Sequence, residues 1–143
     1  MALSVNTYTM NYSNVVNLSF EDKLRATRLA GYSTLSLMPA DIQSMEQSGR
    51  TLADIRTKTN LRIVTGEKQC GLPHFKETLA ANAADILNPD IAAVGGILDM
   101  AQISEWSLEK DVKVSPHCWN SMSIAAAAML HFCASIKNAE MAE

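Results

Sequence analysis

The chain has 143 residues, of which 48% are hydrophobic and 19% charged, with a net charge of −3. This is enough apolar sequence for one folded domain and too much for a disordered chain. No long basic run appears, which argues against nucleic acid or an anionic membrane surface as a partner.

Ser4 to Met10 alternates weakly and reads as a first strand. Ser19 to Ala30 reads as a helix, with Ser19 as N-cap and Asp22 in the first turn, where the helix dipole favours negative charge. Phe20, Leu24 and Thr27 share one face of it, Leu29 falls on the other, and Gly31 closes it. Thr34 to Met38 is a short strand ended by Pro39. Ala40 to Ser48 is a helix stopped by Gly49. Thr51 to Lys58 is another, with Thr51 as cap and Leu52 and Ile55 on one side. Leu61 to Thr65 is a strand running into Gly66-Glu67. Pro73 to Ala84 is a helix with Phe75, Leu79 and Ala83 on one stripe. Ile86-Leu87 and Ile91 to Val94 flank Asp90, and Gly95-Gly96 makes a turn. Leu98 to Leu108 is a helix with Met100, Ile103 and Ser107 on one side. Val112 to Val114 is a strand into Ser115-Pro116-His117. Met122 to Ile136 is a helix whose alanine run suits close packing. Strands alternating with helices imply parallel β-α units. The expected fold is therefore a single α/β domain over residues 1–143, with a mainly parallel sheet of four to six strands and helices outside.

Glu67, Asp90 and His117 each stand at or just after a short apolar run, where a strand would end. Acid, acid and imidazole at successive strand ends is how an α/β barrel builds a catalytic floor. Each residue also has an ordinary reading. Gly-Glu after a strand is commonly a solvated loop carboxylate, Pro-Asp a turn or helix start, and a histidine after proline a half-buried loop residue. His74 and His131 read as structural or surface residues, and Trp106 and Trp119 as packing. Cys70, Cys118 and Cys133 are odd in number and lack metal-finger spacing, which fits a reducing compartment. Met1 to Met10 has neither the basic region nor the apolar core of a secretory signal. Ile124 to Ile136 is shorter than the ~20 residues that a bilayer span needs. The expectation is a soluble, cytoplasmic protein.

From about Leu61 to Glu143 the ordered motifs Thr65-Gly66-Glu67, Asp85-Ile86-Leu87-Asn88-Pro89-Asp90, Val94-Gly95-Gly96-Ile97 and Val114-Ser115-Pro116-His117 lead into an Ala-rich helix ending Lys137-Asn138-Ala139-Glu140-Met141-Ala142-Glu143. This set resembles the C-terminal barrel segment of the mandelate racemase and muconate lactonizing enzyme group of the enolase superfamily. The resemblance implies a partial (β/α) TIM-type barrel and a Mg²⁺-dependent dehydratase or racemase. Such an enzyme abstracts a proton next to the carboxylate of a hydroxy or sugar acid. It implies Glu67 as a metal ligand, Asp90 and His117 as the acid–imidazole dyad, and Glu143 as a substrate contact. That division of labour between a Lys or His base and Mg²⁺ is a known feature of the superfamily.

Val16 to Arg56 differs. Asn17-Leu18-Ser19-Phe20-Glu21-Asp22-Lys23-Leu24, Ala30-Gly31-Tyr32, Leu37-Met38-Pro39-Ala40-Asp41-Ile42 and Thr51-Leu52-Ala53-Asp54-Ile55-Arg56 resemble the start of xylose isomerase-like sugar-phosphate isomerase/epimerase barrels. The domain then divides into isomerase-like units over 1–58 and enolase-superfamily units over 61–143. The further acids and the lysine-bearing strand of the resembled group are missing, so Glu67 is the one inherited ligand. A non-catalytic partial barrel is the reading from a different class. A full barrel takes about 250 residues, and an incomplete one leaves edges and an apolar face open. Self-association is therefore expected, with Leu35, Leu37, Ile63, Val94 and Val114 as candidate strand residues on or near that face.

Overall fold

A computed structural model describes residues 4–6, 18–118 and 122–140. Thr7 to Met10 of the expected first strand, Trp119 and Glu143 lie outside the described residues. The chain groups into two compact units, residues 1–65 and 66–143.

The first unit holds strands β1 (Ser4–Asn6), β2 (Thr34–Ser36) and β3 (Arg62–Thr65), with helices α1 (Phe20–Leu29), α2 (Pro39–Gln47) and α3 (Leu52–Lys58). β1 pairs with β2 and β2 with β3, both in parallel. The Ser19 hydroxyl accepts from the Asp22 N–H and starts α1, as its position predicts. α3 opens on a capping box: Thr51 Oγ1 accepts from the Asp54 N–H, and the Asp54 carboxylate accepts from the Thr51 N–H. Phe20, Leu35, Leu37, Met45, Ile55, Leu61 and Ile63 form the core of this unit. Lys23 and Asp41, both buried, form an ion pair of 2.5 Å between α1 and α2. Lys23 therefore shares the buried face of α1 with Phe20 and Thr27.

The second unit runs α4 (Leu72–Ala80), β4 (Ile86–Leu87), α5 (Ile91–Val94), α6 (Ile97–Glu109), β5 (Lys113–Val114) and α7 (Met122–Ser135). β4 and β5 pair in parallel. Phe75, Leu79, Leu87, Met100, Ile103, Val114 and Phe132 lie in one core. The C-terminal segment is tied in by Asn138, which is 2% exposed. Its side-chain N–H groups donate to the carbonyls of Ser104 and Val112, and its oxygen accepts from the Ser104 hydroxyl. The Val114 N–H donates to the Asn138 carbonyl, and the Glu140 N–H to that of Val114.

Five strands thus occur among the described residues, within the expected four to six, and each pairing inside a unit is parallel. Three expectations need correction. The helix expected over Pro73 to Ala84 stops at Ala80, because Asn82 takes a left-handed φ of +50°, which asparagine tolerates. Val94 lies on a helical turn rather than a strand, since the Asp90 side chain caps the Ala92 N–H and starts α5. Leu35, Leu37, Ile63, Val94 and Val114 are all buried in the core of their own unit and offer no open apolar face. The large exposed apolar side chains are Leu29 on α1, Ile97, Leu98 and Leu108 on α6, and Ile124 and Leu130 on α7.

Candidate active site

The site grows out of the β4–β5 ladder. Ile86 pairs with Lys113 and Leu87 with Val114, and the same register reaches past both strands to a bridge between Asp90 and His117. The Ser115 N–H donates to the Leu87 carbonyl at 2.8 Å, and the His117 N–H to the Pro89 carbonyl at 2.9 Å. Asn88, 1% exposed, donates from its side chain to the Ser115 carbonyl at 2.6 Å. An acid and an imidazole separated by 27 residues are thereby set side by side by main-chain bonds.

His117 Nδ1 lies 3.1 Å from Asp90 Oδ2. The other carboxylate oxygen, Oδ1, accepts from the Ala92 N–H at 2.8 Å, so the acid is held at both oxygens. A carboxylate facing Nδ1 makes that nitrogen the donor and leaves the Nε2 lone pair free. Nε2 in turn faces Glu67 Oε1 at 3.7 Å, which is beyond hydrogen-bond range. The side chains of His117, Glu67 and Asp90 are 15%, 23% and 9% exposed, so the group is sheltered yet reachable.

Gly66 aims Glu67. Its φ is +126°, and a Cβ there would stand 2.9 Å from Phe75 Cε1 and 3.2 Å from the Asn88 nitrogen. The backbone passes too close to the α4 side chain and the β4 end for any other residue.

The three candidates Glu67, Asp90 and His117 are therefore brought together, while Glu143 lies outside the described residues. Sequence reasoning missed Asn88, whereas its ordinary reading of Pro-Asp as a helix start holds alongside the dyad, since Asp90 caps α5. Asn88 stood inside a quoted motif, but nothing in periodicity marks an asparagine as buried. His74 and His131 are exposed, as expected of surface residues. Trp106 packs against the core, and Lys76 Nζ sits 5.7 Å from its ring centroid. Burial pushes the Cys133 thiol up, which makes it a poor nucleophile.

The donor set fits Mg²⁺ poorly. Among the described residues no three His, Cys, Asp or Glu side chains converge to hold a metal. Asp90 already faces the imidazole and a backbone N–H, so Glu67 is the single oxygen ligand within the trio. Mg²⁺ needs several oxygen ligands and dehydrates reluctantly.

The profile of the enolase C-terminal domain-like family matches residues 40–143. The chain belongs to this family. The match begins inside the stretch that resembles an isomerase barrel. A D-galactonate dehydratase of Ralstonia pickettii (strain 12J) is 34% identical over 87 residues, covering 61% of this chain and 22% of that protein. The crystal structure of an enolase from the environmental genome shotgun sequencing of the Sargasso Sea is 41% identical, with a TM-score of 0.74 over 86% of this chain and 32% of that one. An enolase from Agrobacterium radiobacter, with bound Na and L-malate, is 29% identical, with a TM-score of 0.65 over 78% of this chain and 27% of that one. The chain spans about a fifth to a third of the length of these relatives. Its fold class is that of enolase-superfamily α/β barrels, present in part. Among the described residues, no helix is long and apolar enough to cross a membrane.

Proposed function

We propose that the chain carries the proton-abstracting part of a sugar-acid dehydratase or racemase site. The partner is a small hydroxy-carboxylate or sugar acid, in the cytoplasm, with neither nucleic acid nor membrane involved. Asp90 accepts the Nδ1–H of His117, orients the ring and raises its basicity. Nε2 of His117 then takes the proton from the carbon next to the carboxylate. The C–H bond breaks, the N–H bond forms, and the electron pair stays on the substrate. The resulting imidazolium is stabilised by the Asp90 carboxylate. Glu67 is the one inherited Mg²⁺ ligand, and Glu143 the substrate contact. With one oxygen ligand, this chain alone binds Mg²⁺ weakly, and no step is derived through the ion.

The observation that carries this reading is the Asp90–His117 pair, held in register by the ladder at the end of β4 and β5. The likeness to a D-galactonate dehydratase supports a sugar acid as substrate. So does the L-malate bound to the Agrobacterium enolase, since malate is a hydroxy-carboxylate. A second reading, a non-catalytic partial barrel, is favoured by the incomplete donor set among the described residues. The isomerase/epimerase reading of residues 16–56 gains no catalytic residue.

Hydrogen–deuterium exchange at the carbon next to the carboxylate, over a panel of sugar acids with Mg²⁺, tests the reading. Exchange is expected in the native chain and should fall by about 10²–10⁴ in His117→Asn, the usual contribution of a general base. Silence on every acid selects the non-catalytic reading. Turnover of keto or aldo sugars that survives His117→Asn selects the isomerase.

A further inference from the structure

We propose that the outer face of α1 takes up helix α6 of a second copy of this chain, with Arg25 and Arg28 of one copy meeting Glu105 and Glu109 of the other. The contact is independent of the proton-abstraction reading and uses none of Glu67, Asp90 and His117.

The core leaves a second stripe of α1 uncovered. Phe20, Lys23 and Thr27 are its buried residues. Glu21, Leu24, Arg25, Arg28 and Leu29 follow at i, i+3, i+4, i+7 and i+8, which puts them on one side of the helix. With Thr59, at the end of α3, they line an open groove. Leu29 is 82% exposed, so the groove is apolar as well as charged. Glu21 is already paired with Arg50. Arg25 meets Asp22 at 3.6 Å, with the two side chains 74% and 45% exposed, and such a pair is worth little in water. The Arg28 side chain has no ion-pair partner among the described residues. The groove therefore presents two guanidinium groups and two leucines on a chain whose net charge is −3.

The complementary surface is on α6. Leu98, Gln102, Glu105 and Glu109 stand at i, i+4, i+7 and i+11, with Leu108 beside Glu109, and so form one stripe. Gln102 is half-buried and the other four are exposed. The helix carries Asp99, Glu105 and Glu109 and no basic side chain. Glu105 accepts from Gln102 Nε2 at 3.2 Å, and Glu109 has no ion-pair partner among the described residues. Two leucines and two carboxylates thus answer two leucines and two arginines. The arginines are about 4.5 Å apart along their helix axis and the carboxylates about 6 Å, a difference that long side chains absorb. An amphipathic helix laid in an apolar groove is a recurrent mode of recognition, and opposite charges decide which surface meets which. Ile124 on α7 is 84% exposed, but α7 has no acid to match the arginines. Pairing α1 with α1 would oppose arginines, and α6 with α6 would oppose acids. The contact is therefore heterologous, each copy presenting one groove and one helix.

Sedimentation velocity of the full chain over a range of concentrations, with circular dichroism as the check on folding, tests the contact. The native chain should gain mass with concentration. Arg28→Glu and Glu105→Arg should each weaken association at least about tenfold, because each sets like charges against one another. An equimolar mixture of the two variants should associate again, since the changed groove of one meets the changed helix of the other. Both residues are exposed, so both variants should keep the native circular dichroism. Should either reversal unfold the chain, Arg28→Gln and Glu105→Gln read the same charge match, and each must still weaken association. A monomeric native chain, association unchanged in either folded variant, or no recovery on mixing folded variants would each overturn the proposal. So would association that survives Arg28→Glu and is lost in Ile124→Lys, which would put the contact on α7. Sedimentation and proton exchange are separate readouts, so either can fail without the other.

Discussion

Asp90 divides one carboxylate between two neighbours, the Ala92 N–H at Oδ1 and the His117 ring at Oδ2. Asparagine caps helices about as well as aspartate, so Asp90→Asn keeps an oxygen for Ala92 and removes the charge behind the imidazole. The expected outcome is a melting temperature close to that of the native chain with proton exchange strongly reduced. Parallel thermal melts and exchange rates check it, and a large loss of stability would show that the charge also supports the fold. The residue types at 67, 90 and 117 were legible because acids and imidazole closing apolar runs stand out against a sequence that is 19% charged. Asn88 was not legible. Its importance lies in one bond to the Ser115 carbonyl across the ladder, and pairing partners are fixed only once the chain has folded.

At the scale of elements, caps and stripes were readable and short elements were not. Ser19 and Thr51 start their helices where local chemistry places them. Strands of two residues, β4 and β5, are too short to show alternation, and α5 reads as apolar run rather than helix until Asp90 caps it. The Thr51 capping box carries a pH signature. Hydrogen bonds from the Thr51 side chain and backbone hold the Asp54 carboxyl below its ordinary 3.8. A depressed folded-state value means that the stabilisation is full above that ordinary range and is lost as pH falls through the folded value. Thermal melts of Asp54→Asn and the native chain should therefore differ near neutrality and converge in strong acid. A constant gap at all pH values would contradict this.

The turn at Gly66 belongs to the same scale, since it leads towards α4 and passes beside the end of β4. Gly66→Ala adds a methyl where Phe75 Cε1 and the Asn88 nitrogen already crowd, at a φ of +126°. It should cost more than about 1 kcal/mol, the usual cost where alanine meets a positive φ. Urea denaturation measures the cost, and the same variant should shift the environment of Glu67.

For the whole molecule, the alternation of strand and helix announced the α/β class and the resemblance of the ordered motifs from Thr65 to His117 the family, while the burial of individual strand residues had to be seen. The five side chains expected to line an open face are buried, which removes the original motive for self-association through them. Besides Leu29 on α1, the large exposed apolar side chains among the described residues sit on α6 and α7, where Leu98 and Ile124 are each 84% exposed and α7 carries no charged side chain except through His131. Self-association through these helices is the expectation that remains. Sedimentation at several concentrations should show mass rising with concentration, and Leu98→Lys with Ile124→Lys should abolish the rise. A monomer at every concentration would refute it.

The bonds made by Asn138 and its neighbours also decide how short this polypeptide can be. A stop codon after Ile136 would leave Glu67, Asp90 and His117 untouched. It would also strip partners from the carbonyls of Ser104, Val112 and Val114, from the Ser104 hydroxyl and from the Val114 N–H. Val114 is fully buried, so these vacancies would open inside the core beside the ladder that aligns Asp90 with His117. The minimal fragment that retains the acid–imidazole pair is thus delimited by Glu140, not by the chemistry it serves.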